Sequence, residues 1–321
     1  LKEVIVMQVF VHSISGVLVI LIMVVVGYIL AKKGWFDEKA SGLIARLVTQ
    51  VALPCYMIDT VTTKFTATEL MKMIPNLRYP ALSMTILLAL ALAVVRVFKI
   101  DKNRRGVFTS MFFNSNTVFV GLPINEALFG NQSIPYVLIY YMCNTTFFWT
   151  IGTYFIQKDG RQKTRIDIRQ AIRKVFSPPL LGYIVGVIFV LLHIKLPTFL
   201  ESDMHYLGGL TIPLSMIFIG LSVAHAGLNR MTLHKDNVLI LIGRFICAPL
   251  LMTLIIMPIS MPMLMKQVFI LQSAMPVMTN APVVAKLYGA DADYAAVMVT
   301  ETTLMTVVVV PIIMLITQNF V

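Results

Sequence analysis

Charge is what this 321-residue sequence has least of: Asp, Glu, Lys and Arg make up 13% of it, against 58% hydrophobic residues and a mean hydropathy of +0.84. A water-soluble core needs far less apolar side chain than that. Cysteine is scarce as well. Cys55, Cys143 and Cys247 stand far apart in apolar stretches, which excludes a disulfide framework and a CxxC metal site. The histidines His12, His193, His205, His225 and His234 show no HExxH or Hx3H spacing, so no metal centre is expected. GxSxG, a Walker loop and a DDxxD-like acidic pair are missing too. Enzyme chemistry and ATP-driven pumping thus lack their signatures, and no cofactor is expected.

Long apolar runs are what the sequence has in quantity, near 4–31, 43–58, 79–98, 107–128, 134–156, 178–194, 205–226, 237–257, 267–287 and 294–317. About 20 helical residues cross a hydrocarbon layer about 30 Å thick, and lipid offers bare backbone no partner. The expected fold is an all-α membrane protein of ten transmembrane helices. The first window is too long for a cleavable leader, and no A-x-A exit is read.

The 26 Lys+Arg against 15 Asp+Glu report orientation rather than nucleic-acid binding. Loops after spans 1, 3, 5 and 7 carry Lys32, Lys33 and Lys39; Lys99, Lys102, Arg104 and Arg105; seven bases from Lys158 to Lys174; and Arg230 with Lys235. That is sixteen bases, against six on the other side (Lys2, Lys64, Lys72, Arg78, Lys195 and Lys266). Both termini are therefore expected outside the cytoplasm, in a multi-pass protein of the plasma (inner) membrane. The segment "KDGRQKTRIDIRQAIRK" is read as a cytoplasmic linker in contact with lipid headgroups.

The sequence also repeats itself. Pro54 and Pro213 each open P-x-x-M-I, and 213 − 54 = 159; Pro123 and Pro282 each open P-x4-L-[FY]-G, and 282 − 123 = 159; Gly27 and Gly186 keep the same offset. Each half holds five spans, an odd number, so the second copy must enter the membrane from the opposite side. The expected domains are 1–157 as the first five-helix repeat, 158–177 as the basic linker and 178–321 as the second, inverted repeat. Pro123 after Gly121, and Pro282 after Pro276, are expected to break spans 4 and 9 near mid-membrane, where the two can cross.

Polar residues gather at both expected breaks: Asn114, Ser115, Asn116 and Thr117 at the first, Ser273, Thr279 and Asn280 at the second. Their amides and hydroxyls, with the free N–H groups of the opened helices, suit an anion such as a carboxylate. The alternative is plain interhelical hydrogen bonding. Glu301 and Glu126 are the intramembrane acids, and Arg244 in span 8 is a candidate ion-pair partner for Glu301. A buried carboxylate is costly unless protonated or paired, so Glu301 is a candidate coupling residue.

The stretches "GYILAKKGWFDEKASGLIARLVTQVALP", "NSNTVFVGLP" and "AMPVMTNAPVVAKLYGADADYAAVMVTETT" resemble the auxin efflux carrier family in its compact prokaryotic form, over almost the whole chain. The resemblance implies a ten-span fold like that of bile acid symporters and sodium-proton antiporters. It implies a scaffold of spans 1, 2, 6 and 7, offering a surface for a homodimer, and a transport domain of spans 3–5 and 8–10 moving as an elevator. Its cargo would be a small organic anion, such as malonate, malate or an auxin-like acid, held where spans 4 and 9 cross. Asn116 with Pro123, and Asn280 with Pro282, become the crossover positions. Proton or sodium coupling remains open, and a sodium-coupled symporter of the bile acid type or a non-transporting anion sensor are the competing readings. Two departures stand out: the long hydrophilic loop of many plant members is missing, and Glu301 stands where a small or apolar residue is expected.

Overall fold

A backbone in hydrocarbon must satisfy its own N–H and C=O groups, and the computed structural model, which describes residues 18–19, 21–160, 176–226 and 234–318, does so with helices and no strand among those residues. We label them α1 (Leu21–Lys32), α2 (Lys39–Lys64), α3 (Ala67–Val97), α4 (Arg105–Phe113), α5 (Thr117–Phe129), α6 (134–159), α7 (Pro178–Leu191), α8 (Thr198–His225), α9 (Lys235–Ile256), α10 (Met263–Ser273), α11 (Ala281–Tyr288) and α12 (Ala292–Gln318). The start of the first window, His12, most of the basic linker and Arg230 lie outside the described residues.

By length and composition, α2, α3, α8 and α9 are each able to cross a bilayer, and α12 joins them if its 49° bend between Thr306 and Val308 falls within one span. Pro311 accounts for that bend: its ring crowds the carbonyl one turn back and it has no N–H to offer. The expected spans 4 and 9 are interrupted pairs, α4–α5 and α10–α11. The segments Ala281–Tyr288 and Leu122–Phe129 keep the sequence offset at their starts, since 281 − 122 = 159.

The prolines do not make the breaks, contrary to expectation. Four π-helical segments are described, Val48–Ala52, Thr117–Gly121, Phe148–Gly152 and Gly243–Cys247, and three of them end two residues before a proline: Pro54, Pro123 and Pro249. The wider turn absorbs the missing donor and moves the crowded carbonyl aside, so the helix continues through Pro123. Pro282 sits in the first turn of α11, where N–H groups are unpaired in any case. The helices stop earlier, at Asn114–Asn116 and at Ala274–Asn280.

Side chains pack into two apolar clusters. One gathers Met84, Phe108, Phe112, Phe269 and Met298 from α3, α4, α10 and α12; the other gathers Met57, Val61 and Leu180 from α2 and α7, with α5 and α6 contributing to both. Small residues set the closest approaches, as expected where lipid gives no hydrophobic drive between helices. A Cβ added at Gly220 would stand 2.1 Å from the Val24 carbonyl oxygen on α1, and one added at Gly106 would stand 1.8 Å from that of Phe155 on α6.

Candidate functional site

Asn, Ser and Asn in a row compete with the helix for its own hydrogen bonds, and α4 ends there, with Asn114 extended at φ −96° and ψ 143°. The freed backbone finds partners in the second interruption. Ser115 faces Val277 in an antiparallel bridge, and the Asn116 N–H donates to the Pro276 carbonyl at 2.8 Å. Asn144 on α6 holds Ser115 from both ends: it accepts the Ser115 N–H at 2.9 Å and donates to the Ser115 carbonyl at 2.7 Å. Thr302 on α12 accepts the Val277 N–H at 3.1 Å. The Asn116 side chain caps α5 by accepting the Phe119 N–H at 3.1 Å, and its amide nitrogen donates to the Thr279 hydroxyl. Gln272 on α10 donates to the Thr117 carbonyl at 3.3 Å.

Behind this junction lies Arg244, in the π-helical turn of α9 and 0% exposed. Nη1 donates to the Phe112 carbonyl at 3.3 Å, Nη2 to those of Ser273 at 2.5 Å and Met275 at 2.9 Å, and Nε to Met275 at 3.2 Å. Every hydrogen bond of the guanidinium thus ends on a backbone carbonyl at an interruption, and none on Glu301, which corrects the expected ion pair. The physical reason is that unpaired carbonyls in an apolar interior are strong acceptors.

In front of the junction is a cavity of about 550 Å³ lined by Asn116, Thr117, Thr279 and Asn280, and by Thr49, Gln50, Tyr141, Thr145, Trp149 and Ser177. Among the described residues no Lys, Arg, Asp or Glu lines it, and those that do offer amides, hydroxyls and backbone N–H groups. Four of the expected site residues therefore share one chamber. Asn114, Ser115, Pro123 and Pro282 are absent from its lining, and shape the helix ends around it.

The acids sit elsewhere. Tyr56 on α2 donates its hydroxyl to Glu126 on α5 at 2.5 Å, in a second cavity of about 600 Å³ where Asp59 also pairs with His205 at 3.1 Å. Glu301 is buried, and both its oxygens accept from the Asn237 amide, at 3.1 and 3.0 Å. Asn144, Gln272, Tyr56 and Asn237 were missed by the sequence reading. The signal was present for Asn144, a lone amide within the apolar run "YYMCNTTFF".

A polar chamber between apolar helices suits a solute in transit, the business of a membrane transport protein. The family of that description matches residues 12–314, and the chain belongs to it, the auxin efflux carriers. An uncharacterized transporter of Methanothermobacter thermautotrophicus is 27% identical over 309 residues, covering 95% of this chain and 98% of that protein. An uncharacterized transporter of Methanocaldococcus jannaschii is 24% identical over 299 residues, 92% of this chain and 95% of its own length.

Proposed function

We propose that the chain is a secondary transporter of a small organic anion, bound in the chamber beside the two interruptions and moved by one helix set sliding against another. One set is α1, α2, α7 and α8, the scaffold; the other is α3 to α6 with α9 to α12, the transport domain. The carrying observation is how close contacts and voids divide between them. Gly27, Gly182, Gly186, Gly208 and Gly220 each press on a helix of the first set, and Gly106, Gly121, Gly152, Gly160 and Gly243 on a helix of the second. The cavities fall on the seam instead. The chamber lies between α2 and α7 on one side and α5, α6 and the α10–α11 interruption on the other, the Glu126 cavity between α2, α8 and α5, and an apolar void of about 260 Å³ between α1, α8, α5 and α12. Interlocked bodies with cavities along the seam between them suit rigid-body motion.

Ten spans in two inverted repeats, with spans 4 and 9 crossing, belong to the same proposal. Arg104 before α4 pairs with Asp291 before α12 at 3.4 Å, so those two loops share a face, as that topology requires. Lys64, Asn131 and Glu201 gather at the other cavity, the opposite face. The chamber extends to Ser177 and Pro178 beside the basic linker, so we read it as reached from the cytoplasm, with Tyr56–Glu126 closing the far side. Glu301, held by Asn237, is the proposed proton-coupling group. Uptake of a labelled carboxylate panel into proteoliposomes, with and without proton or sodium gradients, tests the reading. Failure of every carboxylate under every gradient would overturn it.

A further inference from the structure

Arg244 is a full positive charge, wholly buried, with no carboxylate among its hydrogen-bond partners in the described residues. Such a group needs a counter-charge, and what faces it is the C-terminal end of α4 (Phe112) and that of α10 (Ser273), with the Met275 carbonyl just past the α10 cap as a further acceptor. A helix C-terminus carries about −0.5 of an elementary charge, so two of them together come to about −1. We propose that Arg244 is a positioning residue: its counter-ion is this pair of helix ends, and by binding both it fixes the register in which Ser115 meets Val277 and Asn116 meets Thr279.

The chemistry singles out arginine. Two helix ends from distant parts of the chain, each with its C=O groups directed at one spot, repel each other unless a cation stands between them. Each also leaves acceptors that lipid cannot satisfy. A guanidinium offers five N–H donors in a planar fork and stays charged when buried, so a single side chain can bridge carbonyls of both ends. Lysine brings the same charge on one compact nitrogen, and methionine neither charge nor donor. Gly243, next in the chain, lets α9 approach: a Cβ there would stand 2.3 Å from the Phe112 ring. On the cargo side the same register brings the N-terminus of α5 and Thr279 to the chamber, so Arg244 acts on cargo only through the residues it aligns.

The test uses the facing pair Ser115 and Val277, whose Cα atoms in an antiparallel bridge lie within disulfide reach. In full-length protein with Cys55, Cys143 and Cys247 replaced by alanine, Ser115→Cys with Val277→Cys should oxidise readily. Adding Arg244→Met should remove most of that cross-link, and adding Arg244→Lys should slow it while leaving it detectable, the order expected of a charged bridge. A merely structural arginine would lower the melting temperature without changing the cross-linking of the folded fraction. In proteoliposomes Arg244→Lys should raise the KM for labelled malonate on the order of tenfold; this arm rests on the proposed transport reading, and the cross-link does not. Parent-like cross-linking in the folded fraction of Arg244→Lys overturns the proposal even if Arg244→Met fails to fold. So does parent-like cross-linking in Arg244→Met.

Discussion

Asn116 and Thr279, 163 residues apart in the chain, meet side chain to side chain where the two interrupted helices touch. Each comes from a segment that has left the helix, the first because its own Asn and Ser side chains compete with the backbone, and each lines the same chamber. The contact joins the two halves of the sequence at the point where the proposed cargo would be held.

Asn116→Ala and Asn280→Ala are expected to weaken cargo binding while the protein stays in the membrane. Losing one hydrogen bond to a charged ligand costs about 1.5–3 kcal/mol, roughly ten- to a hundredfold in affinity. Asn116→Ala also removes a helix cap, at about 1 kcal/mol of stability. Binding isotherms of both variants matching the parent would move the site away from the interruptions.

Asn144→Leu is expected to act on stability instead. It strands the buried N–H and C=O of Ser115, each at about 1–3 kcal/mol. Thermal unfolding in detergent should show a clear loss, and an unchanged melting temperature would mean that the clamp on Ser115 contributes little.

Much of this was legible before any coordinates. Where they are described the windows became helices, two of them interrupted and α3 starting at Ala67 rather than 79, because apolar length and the demand for internal hydrogen bonds leave few choices. The polar clusters around Asn116 and Asn280 marked the interruptions, since such residues are costly in lipid without purpose. Their cause was misread: Pro123 looked like a breaker, and only the three-dimensional path shows a π turn absorbing it. Arg244 and Glu301 looked like a pair because opposite charges are read as partners, whereas sequence says nothing of where bare carbonyls will point. Asn144 and Gln272 escaped because a lone amide in an apolar run is commonly interhelical glue.

Glu301→Gln keeps the shape of the side chain and removes its exchangeable proton. If Glu301 couples transport to protons, uptake should lose its pH response while cargo affinity stays near that of the parent. Because Arg244 is satisfied by carbonyls, the substitution should not strand that buried cation. An unaltered pH profile in a stable variant would leave Glu301 without a coupling role.

Single cysteines at Lys102 and Lys195, both exposed, should react with an impermeant thiol reagent from opposite sides of the membrane. Labelling of both from one side would refute the ten-span, inverted arrangement.

The seam gives the most direct test. Tyr56 and Glu126 tie α2 to α5 across it, so Tyr56→Cys with Glu126→Cys, in a background without the native cysteines and bridged by a bifunctional methanethiosulfonate reagent that spans the length the two long side chains filled, offers a reversible lock between the proposed scaffold and transport domain. The measurement is uptake of a labelled carboxylate into proteoliposomes before cross-linking, after it, and again after reduction. Sliding predicts uptake that stops when the cross-link forms and returns when it is reduced; undiminished uptake by fully cross-linked protein would contradict the account.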